Sequence, residues 1–194
     1  MISDWQSADR FTIDQLIRPM ANLYRISTDG TPVAFVRQKK LAVKEDIRFY
    51  ADEGQTEELF RIKARSLMEF SSRYDVTTPA GEKIGVLGKV FGKSLFRSTW
   101  SIMNAEEQQV AVAQERSVAV AVIRRLIDIV PYGDFVPIPF HFTIDAEGTH
   151  FGDMNRRIGY RDTYDLDLSG DTERTIDRRL AIALGTALDA LQSR

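Results

Sequence analysis

Residues 175–192 read TIDRRLAIALGTALDALQ, and the reading of this stretch decides the fold. From 180 to 191, Leu, Ile, Ala and Gly occupy every side of a 3.6-residue turn, interrupted only by Thr186 and Asp189. A helix that is apolar all round has to be buried. It is too short for a bilayer, which takes about 20 apolar residues, so it reads as a core helix. Gly185 costs roughly 1 kcal/mol relative to Ala in a helix interior, which marks a point where another group comes close. The spacing therefore predicts a helix over 175–192 that the rest of the protein surrounds.

A chain of 194 residues suffices for one sizeable core. Its hydrophobic fraction of 43% and charged fraction of 28% are those of a soluble globular domain. A net charge of -2 and a pI near 5.8 exclude a global basic field. Nucleic acid is therefore not an expected partner, and contact with an anionic membrane needs a local basic patch. The chain has no cysteine, which removes disulfides, thiolate nucleophiles, Cys-ligated zinc and palmitoylation, and fits a cytoplasmic location. The opening MISDWQSADR lacks the basic and apolar regions of a signal peptide. The longest uncharged apolar runs, 117–123 and 180–188, are too short to be transmembrane segments.

Outward from the helix, the chain alternates. Residues 1–21 read as an N-terminal arm or short helix, because Ile13, Leu16, Ile17 and Met20 recur at helical spacing and Pro19 limits the end. From residue 23 the period is two. Tyr24 and Ile26, Val33 and Phe35, Ile47 and Phe49, Phe60 and Ile62, Tyr74 and Val76, and Ile84 and Val86 each predict an inward row, with polar partners between. Trp100 with Ile102, Phe142 with Ile144, and Tyr164 with Leu166 and Leu168 continue the pattern. Asp29-Gly30, Glu53-Gly54, Pro79 to Gly81, Glu147-Gly148 and Ser169-Gly170 supply the turns. Many short half-buried strands favour an antiparallel sheet closed on itself, because open edges invite aggregation. One long helix is predicted to interrupt the strands over 104–130, where Val110, Ala119, Val122, Ile123, Leu126, Ile127 and Val130 form a stripe with acids leading and bases following.

Several phrases are familiar in this order: Phe35, Val36, Arg37, Gln38, Lys39 and Lys40; Tyr74, Asp75 and Val76; Ile84, Gly85, Val86, Leu87 and Gly88; and the exit at 164–171 into the final helix. Over roughly 23–191 the chain resembles the LURP-one-related and phospholipid-scramblase-like families, which share the tubby-like C-terminal fold. The resemblance implies an α+β, mostly β, closed antiparallel barrel of about twelve strands with the C-terminal helix threaded through its centre, in a single domain over 1–194. A barrel so filled has no room for an internal ligand, so recognition falls on the outer surface or a rim. Some tubby-like members bind phosphoinositides through basic side chains near the helix that interrupts the barrel. By position and charge type this implies a head-group site at Lys89, Lys93, Arg97, Arg124 and Arg125.

Other constellations have plainer readings. The basic run from Arg37 to Lys40 reads as an edge strand guarded by lysine, and Arg156, Arg157 and Arg161 sit beside Asp153, Asp162 and Asp165 as surface ion pairs. His141, Asp145, Glu147, His150 and Asp153 share a predicted hairpin, with the two imidazoles diagonal at roughly 7–8 Å, but ligands on an open hairpin lack groups to orient them around a metal. Asp189 is a carboxylate inside the apolar helix that must be paired or neutral, with an arginine or backbone amide as the expected partner. No nucleophile elbow, phosphate-cradling loop or His-Glu-x-x-His is present. The expected function is a non-enzymatic binding module without metal or cofactor, with anionic phospholipid or phosphoinositide as the leading ligand and a location peripheral to the membrane. The alternatives are a structural or protein-interaction scaffold, such as a homodimer through the inserted helix, and a metal-assisted hydrolase using His141 and His150.

Overall fold

A computed structural model of the protein describes residues 5–16, 21–39, 46–65, 73–90, 98–116, 141–157 and 162–192. Twelve strands run in chain order: β1 Arg10–Leu16, β2 Ala21–Thr28, β3 Thr31–Lys39, β4 Asp46–Tyr50, β5 Glu58–Ala64, β6 Arg73–Thr77, β7 Lys83–Lys89, β8 Thr99–Met103, β9 Gln109–Glu115, β10 His141–Ala146, β11 Thr149–Arg157 and β12 Thr163–Asp167. A single described helix, α1, covers Arg178–Gln192. Each strand pairs antiparallel with its sequence neighbours, and β1 pairs with β12, with Phe11 opposite Leu166 and Ile13 opposite Tyr164, which closes the barrel. The predicted closed barrel around a buried C-terminal helix is the fold.

The interior is built from period-two rows meeting α1. Phe11 and Ile13 of β1, Tyr24 and Ile26 of β2, Phe49 of β4, Phe60 of β5, Trp100 of β8 and Phe142 of β10 are all buried, together with Leu180, Ile182, Leu184 and Leu188 of the helix. Phe49 and Phe60 stack at 4.1 Å, and Tyr74 lies 5.8 Å from Trp100. Gly185 marks a close approach as expected: a Cβ there would sit 2.5 Å from Ile13 Cδ1. Gly85 does the same from the wall, since a Cβ would meet the Met103 carbonyl oxygen at 2.3 Å and Leu180 Cδ1 at 2.7 Å.

The barrel has two unlike ends. The hairpins β2–β3, β4–β5, β6–β7, β8–β9 and β10–β11 all turn at the end where α1 begins. Asp29-Gly30 and Glu147-Gly148 have positive φ at both positions, the geometry that two-residue hairpins require. Each of these five hairpins also shifts register just before its turn, as at Ile26/Ser27 and Ile144/Asp145. Such bulges add local twist, which curls a sheet toward closure. The same end is sealed by a buried ion pair, Arg178 Nη1 to Asp171 Oδ2 at 2.7 Å, with side chains 2% and 0% exposed. Asp171 also accepts the amides of Thr175 and Ile176, and Asp177 caps the helix by accepting the Arg179 amide at 2.8 Å. These bonds hold 171–176 in a turn, so the helix starts at Arg178 rather than at 175.

Four sequence expectations change. Residues 10–16 of the expected N-terminal arm 1–21 are strand β1, because they have pairing partners on both sides and Phe11 and Ile13 complete the inner row; only Trp5–Ser7 forms a short 3-10 turn, with buried Trp5 edge-on to Phe11. The expected inserted helix 104–130 is wrong over its first part: residues 104–108 are a turn and Gln109–Glu115 is strand β9, paired with β8 and β10. Its remainder from 117 lies outside the described residues. In β3 the inner row is Ala34, Val36 and Gln38, while Phe35 faces outward with the Arg25 guanidinium 5.8 Å from its ring centre. In β7, Leu87 pairs with Tyr74 and Ile102 in the inner row, which leaves Val86 on the outer wall beside Met103.

Candidate functional site

Lys89 closes β7 at the end where α1 finishes. It pairs with Trp100, a core residue, and so belongs to the inner row with Leu87, half-buried at the mouth of the barrel rather than on the outer wall. Val90 follows it and is 51% exposed. Lys93, Arg97, Arg124 and Arg125 lie outside the described residues. Their places in the chain are nevertheless informative: Lys93 and Arg97 fall between β7 and β8, and Arg124 and Arg125 between β9 and β10. Strands β7, β8, β9 and β10 are consecutive neighbours in the barrel, so the strand ends from which both connections leave stand side by side.

Three polar clusters surround this frame. On the outer wall, Arg65 donates from Nε to Asp75 at 2.8 Å and from Nη2 to Glu107 at 2.6 Å, while Lys83 Nζ reaches Glu107 at 2.8 Å and Arg73 approaches at 3.5 Å. Hydrogen bonds from Arg65 and then Lys83 hold the Glu107 carboxyl down to about 2, and hydrogen bonds to Asp75 and then Glu107 push the Arg65 guanidinium up. Sequence reading missed this network because it placed Glu107 in a helix; the residue sits instead in the β8–β9 turn with φ of 62°.

The second cluster joins the two histidines. His141 Nε2 and His150 Nε2 approach the two oxygens of Asp153 at 2.9 and 3.1 Å, and His150 Nδ1 lies 2.9 Å from Asp145 Oδ1. The hydrogen bond to Asp145, then that to Asp153, raises the His150 pKa. Both nitrogens of His150 are thus engaged by carboxylates, and the chain of bonds is complete without an ion. Among the described residues no group of three or more His, Asp or Glu is arranged to hold a metal.

The third cluster is buried at the helix C-terminal end. Asp189 accepts hydrogen bonds from the Tyr24 hydroxyl at 2.7 Å, from the Tyr164 hydroxyl and from Gln15 Nε2 at 3.4 Å. Two phenols thus stand among its partners, where an arginine or a backbone amide was expected. Burial pushes the Asp189 carboxyl up, and burial with the neighbouring carboxylate pushes both tyrosines up. Tyr24 and Tyr164, each the first inward-facing aromatic residue of its strand, were the available signal. The arrangement ties the helix end to β1, β2 and β12 and reads as an anchor. No described helix is long and apolar enough to cross a membrane.

Residues 33–189 match the family model described as LURP-one-related. No curated protein matches the chain.

Proposed function

This chain belongs to the LURP-one-related family, and on that premise we propose that it is a non-enzymatic binding module whose barrel attaches peripherally to membranes through anionic phospholipid or phosphoinositide head groups. The observation that supports the reading is the adjacency of the β7–β10 strand ends on the side where α1 finishes, since Lys93 and Arg97 follow β7 in the chain and Arg124 and Arg125 follow β9. The filled barrel supports it from the other direction. With α1 packed against Ile13, Gly85 and Met154, the interior is occupied and recognition belongs to the surface.

Each basic residue near an anionic surface contributes about 1 kcal/mol, so five acting together give an attachment that is strong at low salt and screened at high salt. Co-sedimentation with vesicles of graded phosphatidylserine or phosphoinositide content tests this. Binding is expected to rise with anionic lipid, fall with salt, and drop by at least about a hundredfold when the five residues are changed to Gln. Absence of attachment at low salt would remove the lipid reading and leave a protein-interaction scaffold.

A further inference from the structure

The outer wall over β3, β4 and β5 sets like charges side by side. The strand register places Arg37 opposite Arg48 and Arg48 opposite Arg61, so that arginines form one row around the barrel. Like charges directly opposite destabilise a strand pair. The row protects no edge, because β3 pairs on both sides in the closed barrel. It packs no core either, since the inner row of these strands is Val36, Ile47 and Ile62.

The arginines are braced, and the row keeps an open end. Arg48 donates to Asp46 at 3.0 Å and to Glu58 at 3.4 Å. Arg61 lies 2.8 Å from Glu58 and donates to the Pro79 carbonyl at 3.2 Å. Arg37 is exposed and donates from Nη1 to the neutral side chain of Gln55 at 3.0 Å. A guanidinium has more N–H donors than that single bond uses. Of the acids in the adjoining turn, Asp52 is folded onto the amides of Thr56 and Glu57, and Glu53 approaches Arg25 at 3.8 Å.

We propose that this row is a docking surface for an extended acidic segment of a partner protein, laid around the barrel across β3, β4 and β5 with carboxylates at alternate positions. It goes beyond the lipid reading above and does not depend on it. Three features select this partner. Guanidinium forks match carboxylates two N–H groups at a time, and Arg48 already makes that pairing with Asp46 through Nε and Nη2. Neighbouring strands are about 4.8 Å apart, and side chains leaving a convex wall spread further, toward the roughly 6.7 Å between alternate side chains of an extended chain. A flat bilayer meets a convex wall along a narrow line, and the middle of the row, Arg48, is the guanidinium most fully engaged; a flexible chain bends around the curve to Arg37. Phe35 and Tyr50, opposite each other and half-buried in the neighbouring row, offer apolar contact beside the acids.

Fluorescence anisotropy of a labelled peptide of repeated Glu-Ser, mixed with the full chain, tests this. The parent is expected to bind at low salt and to release the peptide as salt rises. Arg37→Glu and Arg157→Glu give proteins of equal net charge, the second changed at an exposed position of β11 on another side of the barrel. Arg37→Glu is expected to bind at least about tenfold more weakly than Arg157→Glu. Absence of binding by the parent at low salt, or equal loss in the two variants, overturns the proposal. Phosphatidylserine vesicles that bind the parent and release Arg37→Glu, with no binding of the peptide, would assign the row to lipid and likewise overturn it.

Discussion

Asp189 sets two demands against each other at the scale of one residue. Burial raises the cost of its charge, while the hydroxyls of Tyr24 and Tyr164 stabilise it. The net shift is upward, so the folded protein holds this proton to higher pH than the unfolded chain does. Between the unfolded value near pH 4 and the folded one, the fold binds more protons, and this group's contribution to stability falls as pH rises. Asp189→Asn is expected to abolish that fall while keeping the protein folded, measured as denaturant midpoints compared from about pH 4 to pH 7. Asp189→Leu removes the acceptor altogether. It is expected to destabilise by about 1–3 kcal/mol for each hydroxyl left unsatisfied, and the Asn variant separates that loss from the effect of charge.

At the scale of elements, two glycines set how closely the helix and the wall approach. A Cβ at Gly85 would collide with the Met103 carbonyl oxygen at 2.3 Å, which is backbone and cannot move without disturbing β8. A Cβ at Gly185 would meet Ile13 Cδ1 at 2.5 Å, the free end of a side chain that can change rotamer. Gly85→Ala is therefore expected to cost about 1–3 kcal/mol by overpacking. Gly185→Ala should stay within about 1 kcal/mol of the parent, because the gain in helix propensity offsets the displacement of Ile13. Chemical denaturation of the two variants side by side checks the contrast. The outcome to watch is the rank order, since equal losses would mean that α1 cannot tolerate movement of Ile13.

The whole molecule is held by contacts remote in sequence. Pairing of residues 10–14 with 163–167 closes the sheet, and α1 then fills it. Non-local pairing of this kind makes folding slow, on the order of milliseconds to seconds, and dependent on the last element. A chain ending at 177 lacks the side chains that cover Ile13, Gly85 and Met154. It is expected to lose its near-ultraviolet circular dichroism and to bind hydrophobic dyes, whereas a folded, soluble barrel without α1 would show that the walls can collapse on their own.

What the sequence determines by itself follows from patterns that do not depend on context. An all-apolar helix must be enclosed, as Leu180, Ile182 and Leu184 show, and Asp29-Gly30 or Glu147-Gly148 must turn, because few residue pairs accept positive φ at both positions. Tertiary structure alone decided β1 and β9. Ile13 and Leu16 suit a helix as well as a strand, and β9 turns small Ala111 and Ala113 inward with the larger Val110 and Val112 outward, which reverses the usual contrast. Their backbone groups become strand because neighbours on both sides supply hydrogen-bond partners, and no local pattern encodes that. The acidic turns belong to both levels: the composition of each is written in the chain, but only the antiparallel closure brings the β2–β3, β4–β5, β6–β7, β8–β9 and β10–β11 turns to one end.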